Sequence, residues 1–207
     1  LKPYVKGRVL DAGCGMGANA EYLWNERVPG WTFLEPDPQL LAKVKDDVPS
    51  HVLGKSTSIN ATTASLDPSL RFDTILYLDV IEHIEQSKEE LARAFGLLAP
   101  GGRIVILVPA FNYLFSPFDK AIGHFRRYDK PMLRGELPAG SRLLQLKYLD
   151  SMAFFASLAN KWFLGQKYPT LPQVLLWDRR IVPVSRLMDP IVFHAFGKSL
   201  IAVVEKP

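Results

Sequence analysis

Cysteine is nearly missing from this chain: Cys14 is the only one in 207 residues. That excludes an intramolecular disulfide framework and a cysteine-rich zinc centre. It fits a reducing compartment, so a cytoplasmic setting is expected. No apolar run reaches the roughly 20 residues that a membrane-spanning helix needs. No secretory leader is visible, although the chain opens at Leu1 and not at Met. Internal repeats and low-complexity tracts are also lacking, which excludes solenoids and fibrous arrays. Neither sign of charge dominates, since 25 Lys+Arg face 21 Asp+Glu. The halves differ, however: residues 1–110 hold 11 basic and 14 acidic side chains (net −3), and residues 111–207 hold 14 and 7 (net +7). A basic second half suits an anionic small molecule or a lipid surface, or is an ordinary solvated face.

What is present is apolar material, 48% of residues, enough for one sizeable core. Short apolar runs alternate with helical patterns. "GRVLDAG", "GWTFLEPD", "SHVLGK", "RFDTILYLDV", "RIVILVP", "SRLLQLKYLD" and "KSLIAVVEKP" read as strands. "GANAEYLWNERV", "DPQLLAKVKDDV" and "SKEELARAFGLLAPGG" read as helices, the second capped by Asp37 with Pro38 in its first turn. Residues 56–70 are polar and turn-rich, and are expected to be loop. Such alternation predicts an α/β fold, a parallel sheet with helices on both faces. Two aromatic-rich stretches stand outside it. Residues 110–133 follow the fifth strand as a loop or lid. Residues 151–196, between the last two strands, form a helical cover that roofs a pocket, pairs two subunits or rests on a lipid surface.

"VLDAGCGMG" carries the first chemical signal. A strand leads into Gly13, Gly15 and Gly17 and then a helix, a turn that lets backbone N–H groups approach a nucleotide cofactor. Glu35, near the end of the second strand, is placed to take ribose hydroxyls. Asp11 divides the cofactors. A carboxylate there opposes the pyrophosphate of a nicotinamide dinucleotide, which argues against an oxidoreductase. The same carboxylate suits the ammonium and sulfonium of S-adenosylmethionine, or simply anchors the loop.

With "FLEPD", "FDTILYLDVIEHI" and "LLAPGGRIVILVPA", the glycine stretch resembles class I S-adenosylmethionine-dependent methyltransferases of the type 11/12 kind, over nearly all of residues 1–207. The resemblance implies one domain with a Rossmann-like, doubly wound, seven-stranded sheet of order 3-2-1-4-5-7-6, its last strand antiparallel. It implies S-adenosylmethionine as cofactor, with Asp11 serving the methionine amino group and Gly13, Gly15 and Gly17 turning beside it. Glu35 then matches the ribose acid, Pro36 lies against adenine, Thr57 or Ser58 meets the adenine amino group, and Leu78 faces the methionine. The Asn/Asp-Pro-Pro-Tyr-like stretch of many nucleic-acid amino-methyltransferases is replaced by "LDVIEH", and no RNA-binding motif is visible, so no nucleic-acid partner is expected.

Asp79, Glu82 and His83 follow the fourth strand, at the sheet end where open α/β sites lie. His83 is a candidate base for an acceptor hydroxyl or amine, or a structural imidazole. The stretch is also similar to that of quinone-precursor O-methyltransferases that hold a divalent ion, which makes Asp79, Glu82 and His83 a weaker metal alternative. In "GHFRRYDK", His124 is a second candidate base. Arg126, Arg127 and Tyr128 are candidate contacts for an anionic acceptor, with Phe115 on an apolar wall. An arginine here equally bridges to Asp119 or Asp129. The expected acceptor is small or lipid-like.

Overall fold

The computed structural model describes residues 1–159 and 170–207. Seven strands form one sheet: β1 (Arg8–Ala12), β2 (Gly30–Leu34), β3 (Ser56–Ile59), β4 (Phe72–Leu78), β5 (Leu98–Pro109), β6 (Arg142–Leu149) and β7 (Ser199–Glu205). Their order is β3-β2-β1-β4-β5-β7-β6, as the resemblance implies. β1 to β5 pair in parallel, and β7 runs antiparallel between β5 and β6. The carboxyl ends of β1 to β6 therefore share one edge of the sheet, and that edge positions the site.

Alternation of side chains splits the core into two layers. Leu10, Leu34, Ile75 and Ile104 face one way, and Val9, Phe33, Leu76 and Val105 the other. Burial on both faces explains why these strands read as nearly continuous aliphatic runs. Helices cover both layers. They are α1 (Asn19–Leu23), α2 (Pro38–Leu41), α3 (Val44–Asp47), α4 (Ser50–Leu53), α5 (Ser87–Gly96), α6 (Pro117–Ala121), α7 (Lys130–Glu136) and α8 (Ser151–Ala159). Past residues 160–169, α9 (Leu171–Leu176), a wider π-helical stretch (Trp177–Ile181) and α10 (Val182–Ile191) follow without a break. Of the stretch 151–196 expected to be helical, residues 151–159 and 171–191 are helix, and residues 160–169 lie outside the described residues.

Local readings fail where side chains override pattern. The first helix stops at Leu23, because Trp24 turns extended and the Asn25 amide donates to the carbonyls of Val5 and Leu23. The second divides into α2 and α3; Asp37 does cap it, accepting from the Gln39 N–H at 2.8 Å. "SHVLGK" is not the third strand. Ser50–Leu53 is a helical turn entered from Pro49, and β3 lies in the stretch expected to be loop, paired along β2 from Trp31↔Ser56 to Leu34↔Ile59.

Candidate active site

The turn after β1 is built on left-handed backbone. Gly13, Gly15 and Gly17 have φ of 68°, 56° and 80°. A β-carbon on Gly13 would meet Val80, and one on Gly17 would fall 2.7 Å from a Val48 methyl. One on Gly15 would meet nothing within 4 Å, so the turn opens outward there. The Gly15 N–H donates to Glu35 Oε2 at 2.8 Å, and the Asp37 N–H donates to Oε1 at 3.0 Å. Glu35 therefore clamps the turn and keeps lone pairs to spare for hydroxyl donors. Pro36 beside it is exposed.

Asp11 lies beneath this turn, 1% exposed, and its Oδ2 has no hydrogen-bond partner. Burial pushes its carboxyl up to about 7, and the nearby Glu35 charge adds to the rise. A buried carboxylate oxygen left unpaired is costly, and a cationic ligand nearby would offset that cost. The open face at Gly15, the Glu35 carboxylate and the Asp11 charge together fit an adenosyl group with a cationic amino-acid tail. Leu78, the last residue of β4, borders the same layer as Asp11.

Thr57 does not reach this crevice. It sits mid-strand in β3, opposite Thr32, and is solvent-exposed. The residue that reaches over from the end of β3 is Asn60, whose amide donates to the carbonyls of Glu35 and Pro36, both at 2.9 Å. Sequence reading missed it because the strand itself was misplaced.

A second cluster stands at the ends of β4 and β5. Asp79 takes left-handed φ of 56° and is exposed; a short 3₁₀ turn, Ile81–His83, follows. His83 is exposed, and its ring meets that of His124 edge-on at 4.6 Å. His124 Nδ1 lies 2.8 Å from Asp119 Oδ1. Arg127 grips the same carboxylate through Nε at 2.7 Å and a terminal nitrogen at 2.9 Å. Burial pushes the Asp119 carboxyl upward, but the His124 and Arg127 hydrogen bonds outweigh it and hold the group well below the usual carboxylate range. Asp119 is thus an ionised acceptor, and His124 presents Nδ1–H to it. Glu82, fully buried, lies 3.8 Å from His124 Nε2, and neither of its carboxyl oxygens accepts a hydrogen bond. Burial, then the charge of Asp79, pushes the Glu82 carboxyl up to about 8. Among the described residues, the donor group compact enough for a metal ion is Glu82, His83 and His124, with His124 in the place expected for Asp79.

Of the 124–129 stretch, His124, Arg126, Arg127 and Tyr128 turn inward. Tyr128 is completely buried and its hydroxyl donates to Ser87 at 3.1 Å, so the substrate role expected of it is corrected to a structural one. Arg127 is spent on Asp119, the bridging alternative. Arg126 is spent on Ser87 Oγ and the Glu85 carbonyl, both at 2.8 Å. Asp129 caps α7 through the Met132 N–H. Phe115 is half-buried and, among the described residues, lies outside the aromatic wall. That wall is formed by Phe111 stacked on Tyr148 at 4.5 Å, with Phe154 edge-on to Phe111 at 5.6 Å. Lys198 went unnoticed in the sequence. It begins the approach to β7, holds its ammonium 4.3 Å from the Trp177 ring, and feels the charges of Asp150, Asp79, Arg127 and Asp119.

A family model described as a methyltransferase domain matches residues 2–155. The chain is 24% identical over 193 residues to ajmaline N-methyltransferase of Rauvolfia serpentina, covering 91% of this chain and 61% of that protein. It is 32% identical over 104 residues to ubiquinone biosynthesis O-methyltransferase of a Bradyrhizobium species, covering 48% and 38%. It therefore spans less than two thirds of the length of these relatives. Among solved structures, an S-adenosylmethionine-dependent methyltransferase from Mesorhizobium loti superposes with a TM-score of 0.65 at 15% identity, covering 98% of this chain and 93% of the other, a likeness of fold. With the sheet order, the glycine turn and the family match in agreement, this chain belongs to the methyltransferase domain family, built on a Rossmann-like seven-stranded sheet.

Proposed function

We propose that this domain transfers the methyl group of S-adenosylmethionine to an oxygen or nitrogen of a small or lipid-like, anionic organic acceptor. The cofactor supplies an electrophilic methyl carbon on a sulfonium. Asp11, the glycine turn, Glu35 and Asn60 hold it, with Pro36 and Leu78 bordering its two ends. His83 takes the acceptor proton, since it is the exposed imidazole at the ends of β4 and β5. His124 is a positioning residue: fixed by Asp119, it packs against His83 and limits its rotamers. The observation that carries the proposal is this imidazole pair, backed by an ionised Asp119, on the same sheet edge as the glycine turn. Lys198 supplies the positive charge for an anionic acceptor, because Arg126 is held by Ser87 and Glu85 and the buried Arg127 charge is matched by Asp119. The aromatic wall and helices α8 and α10 shield the acceptor from water, which direct displacement favours.

The test couples detection of S-adenosylhomocysteine to panels of phenolic and amine acceptors. With an accepted substrate, His83→Ala should lower kcat on the order of 10²–10⁴-fold while the affinity for S-adenosylhomocysteine stays within a factor of two or so. His124→Ala should act more weakly and shift the pH profile. An unchanged kcat in His83→Ala removes it as the base.

A further inference from the structure

The helix α10 is inside out. Its polar residues Ser185 and Asp189 are 2% and 5% exposed, whereas Val184, Leu187 and Ile191 are 45%, 74% and 66% exposed. These three share one face at helical spacing. Leu176, one π-helical stretch earlier, is 55% exposed, and Phe193, just past the helix, is 89% exposed. Phe193 and His194 also adopt left-handed backbone, with φ of 52° and 50°, which is uncommon for large side chains.

This orientation is pinned. Asp189 accepts the N–H groups of Asp150 and Ser151, both at 2.9 Å, at the start of α8. Ser185 Oγ accepts from the Met152 N–H at 3.2 Å and donates to Asp150 Oδ1 at 2.5 Å. Turning the apolar face inward would break all four bonds. Of the charged side chains described on the helical run, Arg179, Arg180 and Arg186 are exposed and Asp189 is turned inward, and the run as a whole holds three arginines against two aspartates, Asp178 and Asp189. An outward apolar face beside arginines is the pattern of a helix that lies in a lipid interface. No helix among the described residues is long and apolar enough to cross a membrane.

We propose that the outer face of residues 176–193 docks this domain on an anionic lipid surface, with Leu187, Ile191 and Phe193 entering the acyl boundary and the three arginines meeting lipid phosphates. Charge complementarity favours lipid over a second copy. A two-fold contact sets the same patch against itself, and here it would bring arginines toward arginines. α10 is tied to Asp150 and Ser151, which follow the carboxyl end of β6, so the docked face lies along the edge that carries the active site. A lipid-like acceptor would then enter from the interface. The docking surface stands independently of the methyl-transfer chemistry.

The whole chain is sedimented with phosphatidylcholine vesicles, with and without phosphatidylglycerol. Phosphatidylglycerol should raise partitioning on the order of fivefold for each arginine, roughly 100-fold in all, and added salt should reverse the gain. Leu187→Glu with Ile191→Glu should abolish it while S-adenosylhomocysteine affinity and the circular dichroism spectrum stay unchanged. Should that variant misfold, Arg179→Gln with Arg180→Gln, on exposed positions, should lower partitioning about 25-fold. The proposal is overturned if the native chain ignores anionic vesicles, or if the arginine variant partitions like the native chain. It is equally overturned if the same substitutions only dissolve a dimer seen by analytical ultracentrifugation.

Discussion

Replacing Asp11 with asparagine should separate stability from ligand affinity. In the folded protein without ligand, Asp11 keeps its proton until about pH 7, against 3.8 for an ordinary aspartate. The folded state therefore binds more protons than the unfolded chain between those values, and stability falls as pH rises from about 4 to 7. Three pKa units correspond to a ceiling of roughly 4 kcal/mol at pH 7 and above. Asp11→Asn removes that charge, so the unliganded variant should be more stable than the native chain at pH 8, by one to a few kcal/mol, and indistinguishable near pH 4. Urea unfolding at both pH values measures this. Affinity should move oppositely. A ligand carrying an ammonium prefers the ionised carboxylate, so calorimetric affinity for S-adenosylhomocysteine should rise up to tenfold per pH unit toward pH 7, then level off. In Asp11→Asn the profile should be flat and the affinity low. A native affinity that is constant between pH 6 and 8, or a variant that binds as tightly as the native chain at pH 8, would refute the assignment of Asp11 to the cofactor's cationic tail.

Other outcomes follow from geometry. Gly17→Ala places a methyl against Val48 and Phe33 on left-handed backbone, and should cost about 1–3 kcal/mol by urea unfolding; a neutral result would mean the turn is slack. Tyr77→Phe removes the 2.6 Å bond to the buried carboxylate of Glu90, which Thr63 and Arg93 also hold, and should cost roughly 1.5–3 kcal/mol. Thermal melts showing no loss would take that network out of the stability account. Because Asp119 already holds the His124 ring and, among the described residues, only three donors come together at Glu82, His83 and His124, exhaustive dialysis against chelator should leave turnover unchanged; activity lost and then restored by magnesium or zinc would replace the imidazole base with a metal centre.

The sheet was legible because its strands are buried on both faces and announce themselves as aliphatic runs bounded by glycine and proline. β3 was not. "STSI" carries one strongly apolar side chain, and its strand character comes from pairing with β2, which no local pattern reveals. The glycine turn and Glu35 were legible because left-handed backbone demands glycine and the acid lies at a fixed distance along the chain. The lid misled for a physical reason. "HFRRYD" looks like a charged surface for an acceptor, but Asp119, five residues earlier, draws in both His124 and Arg127. Pairing across a loop is settled by three-dimensional closure, which spacing alone does not encode.

The placement of β7 governs how the molecule is assembled. Among the described residues β6 has no partner except β7, and β7 is also the element that joins β6 to β5. During synthesis the first five strands can associate in turn, yet β6 must wait, its ladder unclaimed, until some fifty further residues have emerged. The arch that precedes β7 is thus formed before the wedge that locks it. Loss of residues 199–205 would strand β6 and α8 together as an exposed, sticky edge.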